Sequence, residues 1–129
     1  MKRRQTGPSA LTVDVVIHRD RGQCAHCGSR PFGDRGWGWS IHHRRPRGMG
    51  GAWHREDTNS PANLVILCGT GTGSCHGWVE SNRSKAYELG LLVRQNAAPS
   101  QVPIHHAVHG MCWLTDDGEV VTEPPMEAA

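Results

Sequence analysis

The chain has 129 residues, of which 36% are hydrophobic, and sets 16 Gly and 8 Pro against five Trp, one Tyr and one Phe. That is length for one compact domain, with a core thin enough to need cross-links. Its longest apolar run, Leu64-Val65-Ile66-Leu67-Cys68, falls far short of the roughly 20 residues of a membrane span, and its formal net charge is only +2.

The first eight residues join like charges to Gly7 and Pro8 and read as a flexible basic tail. Met1-Lys2-Arg3-Arg4 resembles the start of a signal peptide, but Thr6, Pro8, Ser9 and Asp14 interrupt any apolar stretch behind it, so a cytoplasmic protein is expected. Ser9 is a helix N-cap, and Leu11, Val15 and His18, or Val13, Val16 and Ile17, give a short helix to Asp20, although four Val and Ile also suit a strand. Arg21 to Gly38 is rich in turns. Trp39 to His42 predicts a short strand, and Pro46, Gly48, Gly50 and Gly51 a long loop after it.

Ser60-Pro61 opens a single helical turn, Leu64 to Cys68 is a buried strand, and Gly69 to Ser74 is a loop. Cys75 to Leu89 predicts one helix with Val79, Ala86 and Leu89 inward, stopped by Gly90. Val102 to His109 and Met111 to Val121 predict a final hairpin, within an extension at 101–122, and 123–129 a flexible tail. The expected class is a small α+β fold with its main domain at residues 9–100. Four of the five Trp, at 37, 39, 53 and 78, are expected mainly to fill a core short of Leu and Phe.

Charge is divided along the chain. Residues 1–55 carry eleven basic side chains against three acidic ones, and residues 56–129 three against nine. Twelve of the fourteen basic residues are Arg, whose planar fork grips phosphate, so the expected partner is nucleic acid.

In a reducing compartment five cysteines are more apt to hold metal than to pair as disulfides. Cys24-Ala-His-Cys27 is a knuckle that aims two sulfurs at one tetrahedral ion. Cys68 and Cys75 flank a six-residue loop with three glycines, which lets them converge on the same ion, giving a four-Cys zinc site. His26 or His76 can replace one sulfur, and Cys112 is left as a buried or free thiol. His42-His43 stands where a strand ends and the loop with Arg44, Arg45 and Arg47 begins. There, one neutral imidazole can ligate a cation and a second can deprotonate water. Asn63 precedes the second strand, and His76 follows Cys75 directly.

His42-His43, Asn63-Leu64 and Cys75-His76, framed by the four cysteines, resemble the zinc-braced HNH endonucleases, particularly the small ones of tailed phages, over roughly residues 12 to 95. The resemblance implies a ββα-metal core (the HNH, or His-Me finger, type) braced by structural Zn2+ on Cys24, Cys27, Cys68 and Cys75. It assigns His43 as general base, Asn63 as the brace of the catalytic loop, and His42 and His76 as ligands of one catalytic divalent cation (Mg2+, Mn2+, Ni2+ or Zn2+). A third ligand is open, with Glu80 and Asn82 as candidates. The implied reaction is hydrolysis of DNA phosphodiesters to 5′-phosphates, with Arg44, Arg45 and Arg47 placed for neighbouring phosphates. Partners would then be DNA and, in a phage-infected host cytoplasm, terminase or portal proteins during packaging. A non-catalytic zinc module that binds DNA, or an assembly protein, shares the zinc and Arg content but needs no joint site for His42, His43 and His76.

Overall fold

The computed structural model describes residues 7–46, 56–69 and 73–126. Helix α1, Ala10–Arg19, starts where the Ser9 hydroxyl accepts the Thr12 N–H at 3.1 Å, satisfying one of the free amides of the first turn. Strands β1, Trp39–His43, and β2, Leu64–Cys68, pair antiparallel with Ile41 opposite Ile66 and His43 opposite Leu64. A 3-10 turn, Pro61–Asn63, capped by Ser60, leads directly into β2.

Side chains on a strand alternate between faces, and here both faces of the pair are covered. Ile41, Leu64 and Ile66 pack against Val13 and Val16 of α1. Val65 and Leu67 enter a second core with Val79, Ala86, Leu91, Leu92, Ile104 and Leu114. Burial on both sides explains why β2 reads as a continuous apolar run, and each of these large aliphatic side chains stabilises the fold by about 1.5 to 3 kcal/mol.

The helix expected from Cys75 to Leu89 is broken in two, α2 at Ser74–Ser81 and α3 at Arg83–Leu89. At the break Asn82 leaves helical geometry, with φ −131° and ψ 51°. Its side-chain amide and its own N–H both donate to the Trp78 carbonyl at 2.9 Å, the local competition that makes Asn a helix terminator. Gly90 stops α3 in the left-handed region at φ 76°, and a Cβ there would collide with the Pro103 carbonyl oxygen.

The expected terminal hairpin is a three-stranded antiparallel sheet of β3 (Ile104–His106), β4 (Gly110–Leu114) and β5 (Val120–Val121). A turn between Thr115 and Glu119, closed by Gly118 N–H to the Thr115 carbonyl, divides the predicted second arm. Ile104, Cys112 and Leu114 enter the same core as β2, so this extension shares the core of the main domain. Among the described residues the fold is a small α+β arrangement of three helices and two small antiparallel sheets, and none of these helices is long and apolar enough to cross a membrane. Trp39 and Trp78 pack half-buried at core edges. Trp37, against expectation, stays 83% exposed, and Trp53 lies outside the described residues.

Candidate metal centre and histidine site

The Cys24–Cys27 knuckle is a closed turn in which the Cys24 N–H donates to the Ser29 carbonyl and the Gly28 N–H to the Cys24 carbonyl. It is tied to the sheet by the Ala25 N–H, which donates to the Ile66 carbonyl at 2.8 Å. Cys68 ends β2 and Cys75 lies in the first turn of α2, where the helix dipole favours a thiolate. The four sulfurs lie within 4.8 Å of one another, and Cys27 Sγ is 3.8 Å from Cys68 Sγ. Tetrahedral bonds of about 2.3 Å to one ion would separate sulfurs by roughly 3.8 Å. The cluster therefore fits a metal ion. Burial pushes the Cys24 and Cys75 thiols up. At Cys27 burial acts the same way, but hydrogen bonds from Ser29 outweigh it and bring the thiol down to about 6.

His42 projects from β1 toward α2 and the segment after α3. Its Nε2 meets the Leu91 carbonyl at 2.8 Å, and its ring stands edge-on to His76 with centroids 5.9 Å apart. Because a carbonyl only accepts, that nitrogen carries the proton and Nδ1 keeps its lone pair. Burial pushes His42 down to about 4, so the imidazole is neutral at pH 7, as a metal ligand must be. His43, on the opposite face by alternation, has Nε2 at 2.8 Å from Asn59 Oδ1. Asn59 was not singled out from the sequence, where it was one more polar residue before a turn.

Asn63 is fully buried and clamps two separated pieces of chain. Its Oδ1 accepts the Arg45 N–H at 2.7 Å, and its amide donates to the carbonyls of Arg45 and Thr58 at 3.2 and 2.8 Å. Glu80 pairs with Arg83 at 3.1 Å on the surface. With Asn82 bonded to Trp78, neither candidate third ligand is directed by these contacts at His42 and His76.

The arginine assignments need correction. Arg44 is 0% exposed and its guanidinium donates to the carbonyls of Gly90, Ala62, Pro99 and Val102, so it is a structural cross-link and offers nothing to a phosphate. Arg45 is also buried, donating to the Ala97 carbonyl and pairing with Asp57. Arg47 lies outside the described residues.

A second group, Asp20, His106 and His109, also brings ligand atoms within 4.8 Å. Here the buried carboxylate is already matched. Arg19 binds both its oxygens at 2.8 Å and also donates to the Pro61 and Leu64 carbonyls. The Val108 N–H donates to His106 Nδ1, which puts that ring's proton on Nε2, 3.2 Å from Asp20 Oδ2, and leaves no lone pair there for an ion. The approach is within ion-pair range but off the direction a hydrogen bond prefers. Burial alone would raise the Asp20 carboxyl, and the hydrogen bonds and charge of Arg19, with the His106 Nε2–H close by, override it, holding it well below the usual carboxylate range. The network pins the end of α1 to the C-terminal sheet. Only the density of histidines at 105, 106 and 109 hinted at it in the sequence.

Compared with protein-family models, curated proteins and solved structures, the chain matches none of them.

Proposed function

We propose that the protein is a metal-dependent DNA endonuclease of the HNH type, with β1, β2 and α2 as its ββα-metal core and zinc on Cys24, Cys27, Cys68 and Cys75 as its structural brace. The observation that carries the reading is the meeting of His42 and His76 from two different elements, ring centroids 5.9 Å apart, with His42 oriented by the Leu91 carbonyl. An outward carbonyl bond on one imidazole nitrogen is the usual way a ligating histidine is held with its other nitrogen toward an ion.

In this reading His42 and His76 hold one divalent cation, Mg2+, Mn2+, Ni2+ or Zn2+. When bound, the cation supplies charge stabilisation to the phosphorane and to the leaving 3′ oxygen. His43, next along the strand, removes a proton from the attacking water, and its contact with Asn59 fixes the ring that does so. Asn63 holds Arg45 against Thr58 and so fixes the chain that follows His43. Cleavage leaves a 5′-phosphate. Work beside a phage terminase or portal remains part of the same proposal, carried by the resemblance alone.

The experiment is nicking of supercoiled plasmid by the zinc-loaded protein with each of the four cations and without added cation. Cation-dependent conversion to open-circular or linear DNA is expected. No cleavage with any of them would replace this reading with the non-catalytic zinc-binding module.

A further inference from the structure

Between the knuckle and β1 the chain displays what most folds hide. Phe32 is 91% exposed and Trp37 83% exposed, in a loop whose other side chains include Arg30 and Arg35, both exposed, and one acid, Asp34. The loop is internally braced. The Trp37 and Gly38 N–H groups donate to the Asp34 carbonyl at 3.0 and 3.1 Å, the Gly36 N–H to Trp39 O at 2.6 Å, and the Trp39 indole to the Gly33 carbonyl at 3.0 Å. Gly38 passes so close to the Phe32 carbonyl that a Cβ there would collide with it. A Cβ at Gly33 would lie 3.5 Å from Trp37 Cδ1, which places the indole over the residue next to Phe32. One end of the loop leaves the metal cluster and the other enters β1, so two large aromatics are held out to solvent from a fixed base.

We propose that this loop is a stacking platform for unpaired bases, with Arg30 and Arg35 on the adjoining phosphates, so that the form of DNA it selects is a single strand. The inference rests on the nuclease reading above and adds the part of the chain that grips the substrate and the strand state it prefers. Aromatic faces stack on bases only where the bases are unpaired, and exposed Arg supplies the sequence-independent charge contacts. Two aromatics of about 150 to 250 Å2 each fall well below the roughly 800 Å2 per partner of a stable protein interface. They suffice for two bases. From Trp39 to His43 the strand runs about 13 Å, at roughly 3.3 Å per residue, or about four nucleotides of a stacked strand at roughly 3.4 Å each. A strand held at the loop can therefore reach the histidine site. With Arg44 and Arg45 buried, this loop takes over the phosphate-binding role assigned to them.

The test uses the full zinc-loaded chain, without added divalent cation, and a fluorescent oligonucleotide of about 12 nucleotides as a single strand and as a duplex. The parent should bind the single strand more tightly. Trp37→Ala and Phe32→Ala should each weaken single-strand binding by about 5- to 150-fold and change duplex binding by less than about 2-fold. Trp37→Phe should restore most of the loss, since it keeps a stacking face. Arg30→Ala and Arg35→Ala should each flatten the salt slope by about 0.7. All these side chains are exposed, so zinc content and thermal melting should match the parent and serve as the folding check. Equal single-strand affinity in the parent and both aromatic variants, or a parent that prefers duplex, overturns the platform. If the same parent still nicks plasmid, the nuclease reading survives that result. Binding of neither DNA form together with no nicking overturns both.

Discussion

Arg44 Nε donates to the Gly90 carbonyl at 2.8 Å, joining the end of β1 to the glycine that stops α3. The same guanidinium reaches Ala62, Pro99 and Val102, so one side chain joins four carbonyls from three separate segments. Burial pushes it down to about 9, which leaves it charged at neutral pH. Arg44→Ala removes every donor at once and leaves buried carbonyls unmatched, each costing about 1 to 3 kcal/mol. A loss of about 3 to 5 kcal/mol is expected, a large part of the roughly 5 to 15 that holds a domain together. Thermal denaturation should show a fall of about 10 °C or more. A melt within a few degrees of the parent would show that these carbonyls find water instead.

The four-cysteine cluster predicts about one zinc per chain in protein purified without added metal, measured by elemental analysis. Structural zinc contributes on the order of 10 to 16 kcal/mol in small domains, comparable with the whole stability, so Cys24→Ser should leave the chain largely unfolded by circular dichroism. A folded, zinc-free Cys24→Ser protein would remove the assignment.

His42 and His43 should fail differently. His43→Ala is expected to lower plasmid cleavage by about 10² to 10⁴, or roughly 2.7 to 5.4 kcal/mol of barrier, at every cation concentration. His42→Ala should weaken the cation site, so that excess Mn2+ or Ni2+ recovers part of the activity. Cleavage across a cation titration separates the two. If His43→Ala cuts like the parent, the general base lies elsewhere.

Acid should loosen the link between α1 and the C-terminal sheet. The Asp20 carboxyl faces Arg19, His106 and His109, and its folded-state pKa is depressed. The unfolded chain therefore takes up this proton first, near the ordinary value of about 3.9. The contribution is fully present above about pH 4 and is lost as pH falls toward the depressed value. Asp20→Asn should be less stable by about 3 to 5 kcal/mol at pH 7, because it leaves Arg19 buried without its carboxylate. Its stability should then fall less steeply than the parent's below about pH 4. Urea titrations at several pH values measure both, and parallel curves would show that another carboxylate dominates.

Much of the local structure was legible because its causes are local. The Ser9 cap, the Ser60-Pro61 turn, the apolar run of β2 and the stop at Gly90 each depend on a few neighbouring residues and on backbone preferences that act in any context. The cysteine spacing likewise pointed to one cluster, since three glycines stand between Cys68 and Cys75, and the geometry brings all four sulfurs within 4.8 Å. The break at Asn82 was harder to see, because a side-chain bond to the Trp78 carbonyl competes with helix propensity over a single residue.

What only the tertiary structure decided is the use made of charge. Arg44 and Arg45 stand in a Pro- and Gly-rich basic stretch that reads as solvated loop. Whether an Arg meets a phosphate or a set of carbonyls depends on which backbone groups are left unpaired once distant segments pack, and residues 90, 99 and 102 are not visible from position 44. The Arg19-Asp20 pair likewise acquires its partners from His106 and His109, more than 80 residues away. The apolar pattern carries burial from residue to residue, whereas a buried charge is satisfied by whatever the completed fold brings to it.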